Sequence, residues 1–302
     1  MSGHDLPRVV LVTRPTDYES LIATHGTREQ ARFFLRTHGH TLDEVEQRHR
    51  RLGTALQAIR KDVPVRWRFV HVGRADLPVF VFEPADIIVV LGQDGLVANV
   101  AKYLDGQVVI GANPEPSRYP GVLVPHRHQA AGRLIRACAS GEVRTEDRTM
   151  VEARLDDGQH LLALNEVFVG HASHQSARYR IAFAGGEEDQ SSSGLIVTTG
   201  TGATGWALSI NRAGREPARL PGAAEGRLVF FVREAWPSKV TGASIVTGGL
   251  QGDEELTITS AMNEGGVVFG DGIESDRLGF PWGIVARVRL APQRLRLVRG
   301  PR

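Results

Sequence analysis

Cysteine is almost missing from this chain: Cys138 stands alone among 302 residues. No intramolecular disulfide can form, and a reducing compartment is expected. Cys138 sits in RLIRACAS, an amphipathic helical pattern, where a cysteine is expected to pack as a small apolar side chain. An excess of either charge is also missing. The 36 basic and 34 acidic residues leave a net charge of +2, too little to argue for nucleic acid or an anionic membrane as partner. No apolar run approaches the roughly 20 residues that span a bilayer. The opening MSGHDLPRVVLVTR passes almost directly into a strand pattern. A leader peptide is therefore not expected, and the expected location is cytoplasmic. Metal-ligand spacing is lacking as well. HRH (126–128) and HASH (171–174) have no cysteine or firm carboxylate partner, and strand alternation would put His171 and His174 on opposite faces. Internal repeats and low-complexity tracts are missing too.

What is present fills a two-domain soluble protein, with 41% hydrophobic and 23% charged residues. PRVVLVT (7–13) reads as a buried strand, residues 27–61 as helical, VRWRFVHV and ADIIVVLG as strands, Leu96–Leu104 as a helix and QVVIGANP as a strand. In TLDEVEQRHRRLGTALQAIRKD, Thr41 is a candidate cap and Leu42, Val45, Leu52, Leu56 and Ile59 recur at helical spacing. Alternating strand and helix predict an α/β N-terminal domain with a parallel sheet over residues 1–125. The style then changes. RTMVEARLD, HLLALNEVFVG, ARYRIAFAG, GLIVTTG, RLVFFVRE, ELTITSAM, GGVVFGDG and GIVARVRLAPQRLRLV predict a β-rich C-terminal domain over residues 126–302, sandwich-like or an open barrel. Its last strands are candidates to return to the first domain. One helix, ATGWALSINRAG, interrupts it.

Three segments carry candidate chemistry. In VVLGQDGLVANVAKYL, Asp94 sits in a glycine turn between a buried strand and a helix. Such a turn at the carboxyl edge of a parallel sheet suits phosphate, and an Asp there can meet Mg²⁺ or a hydroxyl proton. The same letters also fit a plain turn with Asp94 as N-cap. SSSGLIVTTGTGATGWALS places several hydroxyls and three glycines between a strand and a helix, a candidate nest for a nucleotide or phosphate. In LNEVFVG, Asn165 and Glu166 can grip ribose hydroxyls; an exposed strand edge is the plainer reading. Trp206 and Trp282 read as core or pocket walls.

Taken in order, Gly92-Gln93-Asp94-Gly95, Gly111-Ala112-Asn113-Pro114-Glu115-Pro116, Asn165-Glu166 and TTGTGATGW resemble the motifs of NAD kinases. SSGL before the loop, TGTG within it, FFVREAW after it and RPTDYE near the start are similar to the mitochondrial-type branch. The resemblance runs from PRVVLVT to DGIESDRLGF. It implies an NAD kinase-like two-domain fold with the site in the cleft between domains. The implied reaction moves the γ-phosphoryl of ATP to the adenosine 2′-hydroxyl of NAD, with Mg²⁺ as cofactor, in a homodimer or homotetramer. It also implies roles: Asp94 as base, Gly92, Gln93 and Gly95 as the phosphate turn with Asn113 nearby, and Asn165 and Glu166 on ribose. Thr201, Thr204 and Gly205 would line the adenine-ribose pocket, Ser193 stands where the commoner branch has an Asp, and Asp271 matches a late DG pair.

Two departures stand out. Gln93 replaces the second glycine of GGDG, and Leu96 replaces the Thr or Ser that often follows. Were that glycine needed for a positive φ, Gln93 would store roughly 1 kcal/mol of strain. The alternatives are a non-catalytic NAD-binding sensor or regulator, and a kinase acting on another nucleoside or nucleotide hydroxyl.

Overall fold

The computed structural model describes residues 6–214 and 217–301. The chain divides into two compact units, Met1–Glu146 with Arg296–Arg302, and Asp147–Leu295. The boundary falls some 20 residues beyond the one read from sequence, because the helix and strand that follow residue 125 stay with the first unit.

The first unit runs β1 (Arg8–Thr13), α1 (Asp17–His25), α2 (Arg28–Thr37), α3 (Leu42–Asp62), β2 (Arg68–Gly73), β3 (Ile87–Leu91), α4 (Asp94–Ala101), β4 (Val108–Asn113), β5 (His126–Arg127), α5 (Ala131–Ala139) and the start of β6 (Val143–Leu155). Its strands lie in the order β2-β1-β3-β4 and pair in parallel. Beside β4 lie β5 and the returning end of the chain, where Arg296 and Leu297 pair with Val108 and Val109. Val9–Val12 and Ile87–Leu91 are buried along their whole length, as a sheet covered on both faces requires. Ala55, Ile59 and Val63 of the α3 region join Leu134 and Ile135 of α5 over Val9, Leu11, Val89 and Ile110. α4 buries Leu96 through Ala101.

The segment read as one helical stretch splits into α2 and α3 at Gly39, whose φ is +76°. Thr41 is the N-cap of α3, without a side-chain cap bond. α1 lies outside the helical stretch expected from residue 27 onward; Thr16 and Glu19 form a full capping box at its start, a signal legible in TDYE.

The second unit contains β7 (His160–Ala163), β8 (Glu166–His171), β9 (Ala177–Phe183), β10 (Gly186–Ser192), β11 (Leu195–Thr198), α6 (Trp206–Ala213), β12 (Arg227–Val232), β13 (Thr247–Gln251), β14 (Glu255–Ser260), β15 (Gly266–Gly270), β16 (Ile273–Gly279) and β17 (Val285–Pro301) as far as Leu295. One antiparallel sheet runs β10-β9-β14-β17, and the other β13-β12-β11-β8-β15-β16. Tyr179, Ile181, Ile258 and Val288 of the first sheet and Val167, Val197, Phe230 and Val268 of the second share one core, so the unit is a sandwich. A smaller cluster on the outer face of the second sheet joins Phe168, Ile196, Phe231 and Val267 to Ala207 of α6. The β9–β10 and β15–β16 hairpins turn through Ala184-Gly185 and Asp271-Gly272, all at positive φ, the geometry of two-residue primed turns. No helix among the described residues is long and apolar enough to cross a membrane.

Candidate functional site

In the first unit, the chain order β1-β2 against β3-β4 opens a crevice at the carboxyl ends of β1 and β3, where the connections leave in opposite directions. A cavity of about 100 Å³ lies there, lined by Arg14, Thr16, Arg48, Gly92, Gln93 and Asn113. Gln93 is the N-cap of α4, and its φ of −113° and ψ of 166° are extended. The turn therefore asks for no positive φ, and the strain expected of Gln93 is not there. Its Oε1 accepts a hydrogen bond from Arg14 Nη2 at 3.0 Å. A Cβ on Gly95 would meet open space, and one on Gly92 only the Leu96 side chain at 3.3 Å.

Asp94 is the first residue of α4. Its Oδ1 accepts from the amides of Leu123 and Val124, at 2.8 and 3.1 Å, and its Oδ2 from that of Val122, at 2.9 Å. The 121–124 segment reaches it because Gly111 of β4 has no side chain: a Cβ there would lie 1.9 Å from Leu123 O. Asn113 closes the neighbouring turn, its Nδ2 donating to Tyr119 O at 2.8 Å and its Oδ1 accepting from Glu115 N at 2.9 Å.

In the second unit, Glu166 opens β8 and Asn165 directly precedes it. The carboxylate of Asp271 accepts from the amides of Leu164 and Asn165, at 3.2 and 2.6 Å, while Asp271 N donates to Glu166 O at 3.0 Å. Burial, with the nearby Asp271 charge adding to it, pushes the Glu166 carboxyl up to about 7.

The Thr-Gly loop is tied to the same pair. Thr199 N and Thr198 Oγ1 donate to Asn165 O, and Thr199 Oγ1 donates to Leu164 O at 2.6 Å. Thr199 Oγ1 also accepts from Thr201 N at 3.1 Å, and Thr204 Oγ1 donates to Thr201 O at 3.2 Å. A Cβ on Gly200 would lie 1.9 Å from Gly222 O, and one on Gly202 2.3 Å from Asn165 O. Most of the loop's hydroxyls and both of these glycines thus serve the loop's own packing. The helix read from ATGWALSINRAG is in two parts: a tight turn at Gly202–Thr204, then α6, with Gly205 (φ −111°, ψ −115°) between them.

Beyond Gly205 the indole of Trp206 forms part of a cavity of about 370 Å³, with Phe168, Phe269, Ser193, Arg233 and His171 also in its wall. Phe168 stacks with Trp206 at 6.0 Å and 16°, and Phe269 packs on Phe168 at 4.8 Å. The Arg233 guanidinium lies 4.9 Å from the Trp206 ring centre. Ser193 is held by the Ser193 N to Arg233 O and Arg233 N to Gly194 O bonds.

The expected residues thus gather as two sets, each within its own unit. Gly92, Gln93 and Asn113 line one crevice, and Asp94 and Gly95 follow directly as the first residues of α4. Asn165, Glu166, Asp271, Thr201, Thr204, Gly205 and Ser193 lie on or beside the Thr-Gly loop. Two sequence readings need correction. His171 and His174 line the same cavity, because β8 ends at His171 and strand alternation stops there. Among the described residues no cluster of three or more His, Cys, Asp or Glu suits a metal. Trp282 is not a core residue; it is 65% exposed. Cys138, on α5, packs half-buried on the apolar cluster as its helical pattern leads one to expect, and burial pushes its thiol up to about 12, far from a reactive thiolate. The sequence reading passed over Arg148, Arg233 and Phe168. The sequence around Arg148, TEDRTMV, is polar on one side and carries no clear signal for its burial.

No family model matches the sequence. The chain is similar to curated NAD kinases. It is 37% identical over 134 residues to that of Heliobacterium modesticaldum, covering 41% of this chain and 46% of the relative. It is 34% identical over 133 residues to that of Burkholderia multivorans, covering 41% and 43%. The chain therefore matches less than half the length of these relatives. In three dimensions it resembles yeast NADH kinase, solved in complex with NADH, with a TM-score of 0.59, 14% identity and coverage of 97% of this chain and 83% of that one. That likeness establishes the two-domain fold: an α/β unit followed by an antiparallel β-rich unit.

Proposed function

We propose that this protein is an NAD kinase-like phosphotransferase of the mitochondrial-type branch, moving the γ-phosphoryl of ATP to the adenosine 2′-hydroxyl of NAD to give NADP. The observation that carries this reading is the aromatic-walled cavity beside the Thr-Gly loop. A wall of Phe168 and Trp206 suits a planar base, and Arg233 beside it suits an anion. The identity to curated NAD kinases supports the same substrate class.

In this reading Asn165 and Glu166 hold ribose hydroxyls, and Asp94 orients and deprotonates the attacking 2′-hydroxyl. The ribose oxygen forms the new P–O bond as the bond to the leaving ADP breaks. A carboxylate has about four lone-pair sites, and backbone amides take three at Asp94, so one remains for the hydroxyl proton. With a loose transition state that proton needs little driving force before transfer, and positioning does most of the work. Mg²⁺ belongs to this reading as the partner of the ATP phosphates, which it neutralises when bound. The lone carboxylate of the turn fits a metal that arrives on the nucleotide rather than one held in a protein cage. A homodimer or homotetramer in the cytoplasm completes the proposal.

One observation favours a second reading. Both oxygens of Asp94 are engaged by the 122–124 backbone, which suits a structural carboxylate in a protein that binds NAD without phosphorylating it. The deciding experiment is NADP formation from NAD, ATP and Mg²⁺ by the purified protein. Turnover near 1 s⁻¹, the ordinary enzymatic range, supports the kinase. No NADP despite NAD binding by calorimetry sinks it in favour of the binding protein, or of a kinase for another acceptor found by screening nucleosides with the same ATP.

A further inference from the structure

We infer that Arg148 is a positioning residue of the Thr-Gly loop: it fixes Thr201 as a hydrogen-bond donor to an anionic oxygen of the bound dinucleotide. The inference rests on the dinucleotide reading above and adds to it a residue and a chemical direction.

Arg148 lies on β6 and is 3% exposed, and Thr201 is 8% exposed. Arg148 Nη1 donates to Thr201 Oγ1 at 3.2 Å. A guanidinium has only donors, so this bond occupies an acceptor site of the threonine oxygen. The Thr201 amide is spent on Thr199 Oγ1, and its carbonyl accepts from Thr204 Oγ1. The polar capacity that remains on the side chain is the O–H proton, turned away from the cation and available to an acceptor. A bound oxygen that carries negative charge fits that direction best.

The geometry is held by a shared frame. Next to Arg148, Thr149 N donates to Ala223 O at 3.1 Å and Thr149 Oγ1 to Glu225 O at 2.8 Å. Gly200, on the other side of Thr201, packs directly on Gly222 O. Glu225 closes that 222–225 turn, its Oε2 accepting from Gly222 N at 3.0 Å. Strand and loop are thus both seated on one turn, which sets the distance from Arg148 to Thr201. Burying a guanidinium is a poor route to stability, since an apolar side chain of similar volume is often as good or better. Its place under the loop makes sense if it acts on what the loop binds.

The test uses calorimetry with NAD and with adenosine, which has the base and ribose but no phosphate, on wild type, Arg148→Met, Arg148→Lys, Thr201→Val, Thr201→Ser and the Arg148→Met/Thr201→Val double variant. The expected result is a 10- to 100-fold loss of NAD affinity in Thr201→Val and a similar loss in Arg148→Met. Thr201→Ser stays near wild type, Arg148→Lys falls between, and adenosine affinity moves less than threefold throughout, in contrast to the adenine-ribose role that the resemblance gives Thr201. The double variant binds NAD no worse than the weaker single one. Losses that multiply in the double variant, or equal losses for adenosine, overturn the inference. So does a lowered melting temperature in Arg148→Met with NAD affinity intact. Should Arg148→Met fail to fold, Arg148→Lys in the wild-type and Thr201→Val backgrounds gives the same coupling. A wild type that does not bind NAD overturns the dinucleotide reading itself, an outcome distinct from binding with uncoupled variants.

Discussion

The turn at Asp94 and the loop at Thr201 look alike in sequence: a buried strand, glycines with polar residues, then a helix. They use their glycines differently. In the loop, Gly200 and Gly202 let neighbouring backbone come closer than any Cβ would permit. In the turn, Gly95 faces open space, Gly92 meets only a side-chain end, and the position expected to be glycine holds Gln93 at ordinary extended φ. The backbone closeness that shapes the turn comes from elsewhere, from Gly111 on the next strand. A glycine that its own chain does not need can be kept for something that comes from outside. By that reasoning the turn's glycines are the ones left open to the proposed nucleotide, while the loop's glycines face the protein.

The largest expected effect separates the two directly. Gly200→Ala or Gly202→Ala should destabilise by about 3 kcal/mol or more, because the clash is with backbone that cannot swing aside. Gly95→Ala should change stability by less than about 1 kcal/mol and instead lower the rate of NADP formation. Thermal melting alongside the NADP assay checks both. A stable Gly200→Ala would remove the distinction.

Asp94→Asn comes next. Both carboxylate oxygens accept N–H bonds, so the amide must turn an NH₂ toward a donor, with an expected stability loss of about 2 kcal/mol. If Asp94 is also the base, turnover falls by about 10²-fold or more at temperatures where the variant is still folded. A stability loss with turnover unchanged would leave Asp94 purely structural.

Glu166 supplies a pH prediction. Its carboxyl is raised from 4.5 to about 7 in the folded protein. The folded state therefore binds the extra proton between these values, and Glu166's contribution to stability falls as pH rises through that window. Allowing for its partial exposure, Glu166→Gln should be more stable than wild type at pH 8 by about 1 to 3 kcal/mol, and equal to it near pH 4. If Glu166 accepts from ribose as a carboxylate, the wild-type KM for NAD should fall as pH rises through about 7. A flat KM profile would remove Glu166 from the ribose site.

The smallest effect belongs to Gln93→Gly. Without strain to relieve, stability should move by no more than about 0.5 kcal/mol, and NADP formation should hold or rise. A collapse in rate would give Gln93 and its Arg14 partner a role of their own.

Much of this protein is legible in its sequence, and the illegible parts follow a rule. The strands buried on both faces, such as Val9–Val12 and Ile87–Leu91, announce themselves as apolar runs, and so do the central strands of the sandwich. The sequence reading passed over β10, β13 and β16, and all three are sheet edges. An edge strand with a solvated side carries polar residues, as GEEDQSS and IESDRLG do, and loses the alternation that marks a strand. The motif residues are legible because glycine, hydroxyl and carboxylate in short spacings stand out as candidates for phosphate and ribose. Their tasks are not. That Asp94 holds a loop 28 to 30 residues away, that Asp271 seats Asn165, and that Arg148 reaches Thr201 across 53 residues are facts of long-range hydrogen bonding. Periodicity and local spacing record which face of an element is buried. Which donor meets which acceptor is decided only when the chain has closed.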